Sequence, residues 1–246
     1  DGGWTQAFDE AHPKIEAALG QKISFVENIT EDASVIRPAA ERFISRGANI
    51  VIGTAFGHSD TFKELAAKYP NVAFLNASGT TNGPNLESFY GRTYESQYLC
   101  GMAAGAASKS GKLGFVAANP FGVVNWTINA FALGAQKMNP NATVNVIYTG
   151  AWNDPVKGGE LAKSQIDRGA DVIYHAAGGT GLGVLQAAAD AGKLGIGVDS
   201  NQNHLHPGSV LTSMLKRIVV TVHDTFMHAK NGTWKAGKTT VGRSLA

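Results

Sequence analysis

Leu113-Gly114-Phe115-Val116-Ala117-Ala118, a helical run from Val123 to Met138, and then Thr143-Val144-Asn145-Val146-Ile147-Tyr148 form the stretch that decides the fold. The two apolar pieces are the length of strands, and the piece between them is long enough for a helix that covers them. Strands that run parallel need such a crossover, so this strand-helix-strand order predicts a parallel sheet with helices on its faces. The order continues downstream through a helix over Val156–Arg168, a strand over Asp171–Tyr174, a helix over Gly183–Ala191 and a strand over Leu194–Val198. It ends in a strand over Ser209–Met214.

Upstream the same alternation appears once more. The spacing predicts a helix over Thr5–Leu19, a strand over Lys22–Val26, and a helix capped by Asp32 or Ser34 whose Ile36, Ala40 and Phe43 share a stripe. A strand over Asn49–Thr54, a helix over Ser59–Lys68 and a strand over Val72–Asn76 follow. Ala77–Leu86 lacks periodicity and separates the two sets; the second opens on a small-residue helix, Tyr94–Lys109. The helix Ile218–Lys230 returns to the first set, and Thr240–Leu245 reads as a short closing strand. Two α/β lobes are expected, residues 1–92 plus 214–246 and residues 93–213.

Composition narrows the function classes. The chain has 246 residues, 43% hydrophobic and 16% charged, which is the balance of a globular protein with a real core. Its net charge of +2 is too small to point to nucleic acid. Cys100 is the only cysteine, so no disulfide forms within the chain, and its apolar neighbours predict a small buried side chain. No apolar run reaches the roughly 20 residues that span a bilayer. Asp1-Gly2-Gly3-Trp4-Thr5 reads as a loop entering a helix, so a first strand, and any lipid-bearing residue, is expected before Asp1.

Ligands of parallel α/β sheets gather at the carboxyl ends of the strands, where loops and helix amino termini converge. Trp4, Phe56, Trp126 and Trp152 lie in or beside such loops, and aromatic rings among polar residues suit a flat ligand. His58 and His175 stand at strand ends, with ligand contact and ordinary loop hydrogen bonding both open. The seven histidines are scattered, with only His204 and His206 close, which argues against a metal site. Gly179, Gly181 and Gly183 match neither nucleotide-binding glycine fingerprint; with Gly178 they read as a strand-to-helix turn that admits positive φ or a close ligand. No G-x-S-x-G or H-E-x-x-H motif is present. Glu95, Asp154 and Asp199 are the only acids near strand ends that could serve catalysis.

Several segments then act together: Asp1–Thr5, Gly91–Gly101, Trp152–Gly158, His175–Gly181, Gly197–Gln202 and Thr212–Arg217. In this order they resemble the basic membrane protein family, bacterial substrate-binding lipoproteins of ABC transporters that include the purine nucleoside receptors. The resemblance implies a type I periplasmic-binding fold, two Rossmann-like lobes joined by three crossovers, with ligand held in the cleft between them. It implies a base stacked between aromatic rings and an aspartate and a lysine on the ribose hydroxyls. Carried onto this chain, Trp4 is the opening aromatic, Thr5 stands where asparagine is common, and Asp199 and Lys216 meet the ribose. Trp152 is the first choice for the second ring and Phe56 the second; His58, Glu95, His175, Gly178 and Gly179 complete the expected contact set.

The expected function is therefore extracytoplasmic binding of a purine nucleoside for an ABC permease, without catalysis, cofactor, metal or nucleic-acid partner. A monomer is expected, in the periplasm or on the outer face of the cytoplasmic membrane and lipid-anchored. The alternatives are a free purine base or another flat heterocycle as ligand, a nucleoside hydrolase-like enzyme, and an intracellular effector-binding regulator.

Overall fold

The computed structural model describes residues 3–236 and the backbone of a last short strand, Thr240–Val241; the rest of the expected closing strand lies outside the described residues. In chain order the elements are α1 (Trp4–Leu19), α2 (Ala33–Ser45), β1 (Ile50–Gly53), α3 (Ser59–Lys68), β2 (Ala73–Ala77), β3 (Leu86–Tyr90), α4 (Thr93–Ala107), β4 (Lys112–Ala117), α5 (Gly122–Met138), β5 (Thr143–Tyr148), α6 (Pro155–Asp167), β6 (Val172–Ala176), α7 (Thr180–Asp190), β7 (Leu194–Asp199), β8 (Val210–Leu215), α8 (Ile218–Lys230) and β9 (Thr240–Val241). Single 3-10 turns occupy Phe56–His58 and Asn203–Leu205. None of the described helices is long and apolar enough to cross a membrane.

The chain divides into two compact α/β units, and it passes from one to the other three times. Asp1–Ala7 and Thr93–Arg217 make the larger lobe, and Phe8–Arg92 with Ile218–Ala246 make the smaller. This differs from the expected division at two places. The first turn of α1 goes with the larger lobe, where Trp4 meets Lys216. That lobe also runs on past residue 213, because β8 stays paired with β7 up to Leu215.

In the larger lobe the sheet order is β5-β4-β6-β7-β8, every pair parallel. Alternate residues of β4 face opposite sides, as a pleated strand requires. Leu113, Phe115 and Ala117 pack under α4 and α5, with Phe115, Phe131 and Tyr174 forming an aromatic cluster; Val116 joins Ala162, Val184 and Ala188 beneath α6 and α7. Glycine lets each helix pair approach closely: a Cβ on Gly101 would stand 2.0 Å from the Phe131 carbonyl oxygen, and one on Gly183 would stand 1.8 Å from that of Pro155. Cys100 is buried in this core, where desolvation pushes its thiol up to about 11, so it acts as an inert filler.

The smaller lobe carries the parallel order β1-β2-β3-β9. Ile36, Ala40, Phe62, Leu65 and Phe74 form its core. Asp32 caps α2 by accepting the Ser34 N–H at 2.7 Å. The Asn85 amide donates to the carbonyls of Ala66, Tyr69 and Val72, tying the end of α3 to the turn that follows it. Two expectations fail here. Lys22–Val26 forms no strand: it has no ladder partner among the described residues, and Phe25 is 59% exposed, so β-forming composition alone does not suffice. Conversely, the aperiodic stretch is followed by β3, a buried strand that the sequence reading passes over because it carries Glu87 and Ser88.

Candidate functional site

The carboxyl edge of the larger sheet gathers most of the expected contact residues. β7 ends at Asp199, and Lys216 follows directly on β8; the strands pair in register up to Asp199 and Leu215, so the two side chains emerge side by side. Lys216 Nζ stands 2.6 Å from Asp199 Oδ1, and the side chains are only 13% and 4% exposed. A charge pair this dry is held by geometry as much as by attraction, since both partners lose hydration. Lys216 Nζ also lies 4.8 Å from the centre of the Trp4 ring, a cation–π distance.

Gly3, just before α1, brings the chain against this pair. Its φ of +121° suits only glycine, and a Cβ there would stand 3.3 Å from Asp199 Oδ2 and 3.5 Å from Gly178 Cα. Gly178, also at positive φ, turns the chain from β6 toward α7 and packs against the Trp152 backbone. The Trp152 carbonyl accepts the Thr180 N–H at 3.2 Å, which fixes the loop after β5. The Trp152 ring is 38% exposed, with its centroid 6.1 Å from that of Phe121. Two indoles, a backbone glycine turn and a carboxylate–ammonium pair thus occupy one edge of one lobe.

His175 lies at the end of β6, fully buried. Burial pushes its imidazole down to about 4, with Lys216 acting in the same direction and the Asp199 carboxylate and the Gln202 contact opposing, so it is neutral at pH 7. Its Nε2 is 3.3 Å from Gln202 Oε1. The neighbouring glycines divide by role. A Cβ on Gly181 would stand 2.0 Å from the His175 ring, and Gly183 serves the contact of α7 with α6, so these two make room for protein rather than for a ligand. Gly179 has ordinary helical φ and is the N-cap of α7.

Thr5 is exposed on the first turn of α1, and Glu95 is part-buried in the first turn of α4. Phe56 and His58 belong to the smaller lobe, in the 3-10 turn after β1. There His58 is buried beside Phe62, with ring centroids 5.8 Å apart, and burial lowers its pKa against the opposing charge of Glu31. Trp126 is half exposed on the outer side of α5. Two residues of the edge lie in segments the sequence points to but are not among the expected contacts. Phe121 sits in an Asn-Pro-Phe-Gly turn that could have marked it, whereas Gln202 looks like any polar loop residue. A cavity of about 230 Å³ lies at the opposite, amino-terminal edge, lined by Lys112, Thr143, Gln165 and Arg168 among others, and is separate from this cluster.

Residues 1–242 match the family described as PnrA-like ABC transporter substrate-binding proteins. A purine-binding protein of Brucella abortus (strain 2308) is 34% identical over 96% of this chain and 67% of its own length. A protein of Haloferax volcanii named for ABC transporter glucose binding is 31% identical over 96% of this chain and 60% of its own. The chain therefore spans only about two thirds of these relatives. Among solved structures, a transcriptional activator of the comK gene from Bacillus halodurans superposes with a TM-score of 0.83 at 25% identity, covering 94% of this chain and 80% of that one. A solute-binding protein of an ABC transporter system from Aeropyrum pernix K1 gives 0.84 at 22% identity, over 96% and 69% of the two chains, and shares the two-lobed type I periplasmic-binding fold. The match along nearly the whole sequence, joined to this fold, makes the chain a member of the PnrA-like family of ABC transporter substrate-binding proteins.

Proposed function

We propose that this chain is the solute-binding component of an ABC importer, working outside the cytoplasmic membrane, and that its ligand is a purine nucleoside. The observation that carries the reading is the Asp199–Lys216 pair, 2.6 Å apart and nearly dry beside the Trp4 ring. A vicinal diol suits such a pair: the carboxylate accepts from one hydroxyl while the ammonium donates to the oxygen of another. Trp4 and Trp152 supply the ring surface that a purine would stack on. Glu95, Thr5, Phe56 and His58 enter the reading as further proposed contacts, and the permease as the proposed partner. No catalysis is proposed, because none of these groups makes a base-activated nucleophile or places an acid toward a leaving base.

A second reading has its own support. A sugar also offers vicinal hydroxyls, and one relative at 31% identity is named for glucose. Mass spectrometry of small molecules released from the denatured protein, followed by calorimetry with inosine, guanosine, adenosine, their free bases and glucose, separates the two. A nucleoside recovered and bound more tightly than its base supports the proposal; glucose bound more tightly than any nucleoside overturns it. Incubating the nucleosides with stoichiometric protein should return them intact, and release of free base would make the chain a hydrolase.

A further inference from the structure

Asp199 holds an unusual backbone conformation. Its φ is +71°, and the Ser200 N–H reaches back to the Val198 carbonyl at 2.9 Å. Asp199 is therefore the central residue of a γ-turn at positive φ, a rare and strained arrangement for a residue with a side chain. Such strain persists only where neighbouring groups hold the chain in place. Lys216 supplies two holds, its N–H donating to the Asp199 carbonyl at 3.0 Å and its ammonium pairing with the carboxylate.

The other hold lies upstream. The Val198 N–H donates to Gln202 Oε1 at 2.9 Å, and because a backbone N–H can only donate, this fixes which way the Gln202 amide points. The same oxygen lies 3.3 Å from His175 Nε2, so in neutral His175 that nitrogen carries the proton. The Gln202 N–H in turn donates to Ser213 Oγ on β8 at 3.1 Å. Gly197 leaves space for the arrangement: a Cβ there would stand 2.5 Å from Ser213 Oγ and 2.9 Å from Gln202 Cβ. Gln202 is buried although its neighbours Asn201 and Asn203 are exposed, as a loop residue turned inward for a purpose would be.

We propose that Gln202 is a positioning residue for ligand binding: its side-chain oxygen ties the backbone before Asp199 to His175, its backbone ties the loop to β8, and the γ-turn thereby presents the Asp199 carboxylate to Lys216 and to ligand hydroxyls. Gln202 acts through Asp199. The inference rests on the nucleoside reading for its binding arm alone, since the turn and its holds are described by the fold's own hydrogen bonds.

Gln202→Leu keeps the volume and removes the acceptor. In a crystal structure of that variant without added ligand, Asp199 is expected to leave positive φ and its pair with Lys216 to separate; a γ-turn and pair both retained would overturn the inference. A second measurement needs no variant. Nitrogen-15 spectra of the wild-type protein at pH 7 should show His175 as the Nε2–H tautomer, and finding the Nδ1–H form would overturn the inference whether or not the variant folds. By calorimetry, Gln202→Leu should weaken inosine about tenfold or more and hypoxanthine less than about threefold. Equal losses for both count against positioning of Asp199. Failure of the wild-type protein to bind inosine would instead remove the nucleoside reading, while the structure of the variant and the tautomer still decide the role of Gln202.

Discussion

Each lobe buries a histidine at the carboxyl end of its sheet, and the two are wired differently. His58, over Gly53 in the smaller lobe, has no hydrogen-bond partner at either ring nitrogen among the described residues and lies against Phe62. His175 in the larger lobe reaches Gln202 and lies in the field of Asp199 and Lys216. The smaller lobe thus leaves its less buried histidine without a hydrogen bond among the described residues, while the larger lobe holds a fully buried one in a polar, charge-bearing end. Substitutions at a charged, hydrogen-bonded end and at one held by ring packing should therefore differ in kind as well as in size.

The largest effect is expected at Asp199. Removing the carboxylate's charge-assisted hydrogen bond to a hydroxyl together with its hold on Lys216 should cost about 4 kcal/mol, near a thousandfold in nucleoside affinity, for Asp199→Ala. Free-base affinity should change little, because a base brings no diol. His58→Ala in the smaller lobe should affect nucleoside and base alike. Calorimetry with inosine and hypoxanthine reads all four values, and a loss at Asp199 shared equally by base and nucleoside would erase the contrast between the lobes.

The next effect concerns stability. Both histidines have folded pKa values below the ordinary 6.5, so the unfolded chain takes up protons first as the pH falls. Stability should therefore be full above about pH 6.5 and decline as the pH drops toward 4, by an amount on the order of 3 kcal/mol from His175 and less from His58. Urea unfolding at pH 7 and pH 4.5 measures it. His175→Gln should flatten the decline more than His58→Gln does, and the reverse order would mean that the buried end of the larger lobe tolerates charge better than its desolvation implies.

The fold was legible because strand and helix periods alternate so regularly; Ser59–Lys68, Thr143–Tyr148 and Ile218–Lys230 match the expected bounds residue for residue. The failures share one cause, that a strand is a property of its partners. Lys22–Val26 has the right composition and no ladder among the described residues, whereas β3 has polar residues satisfied from outside the strand: Ser88 N–H donates to Asn82 Oδ1 at 2.8 Å, and the buried Glu87 carboxylate accepts the Trp234 indole N–H. Trp234, 147 residues from Glu87, cannot be foreseen from a window of sequence, although Asn82 lies only six residues before Ser88. In the candidate site, Asp199 and Lys216 emerge from motif resemblance and their juxtaposition from strand register. Gln202 and Phe121 stay hidden because a buried glutamine or a half-buried ring in a turn carries no periodic signal, and the use of Gly181 as a seat for His175 appears only once α7 lies over β6.

The smallest effect tests whether the rings share the asymmetry of the charges. The Lys216 ammonium lies over the Trp4 ring, so the ring steadies that charge as well as serving as the proposed stacking surface. Trp4→Ala should then cost roughly 1–2 kcal/mol of nucleoside binding, combining lost stacking with a less restrained lysine, and Trp4→Phe should recover most of it. Because Lys216 is held against the diol in this reading, the loss should be greater for inosine than for hypoxanthine. Phe56, in the smaller lobe and outside this charge cluster, should instead give Phe56→Ala losses equal for the two ligands. Calorimetry on both variants decides the matter: a Trp4→Ala loss identical for base and nucleoside would reduce Trp4 to a plain stacking surface, and no loss at all would remove it from the site and leave Trp152 as the ring of the larger lobe.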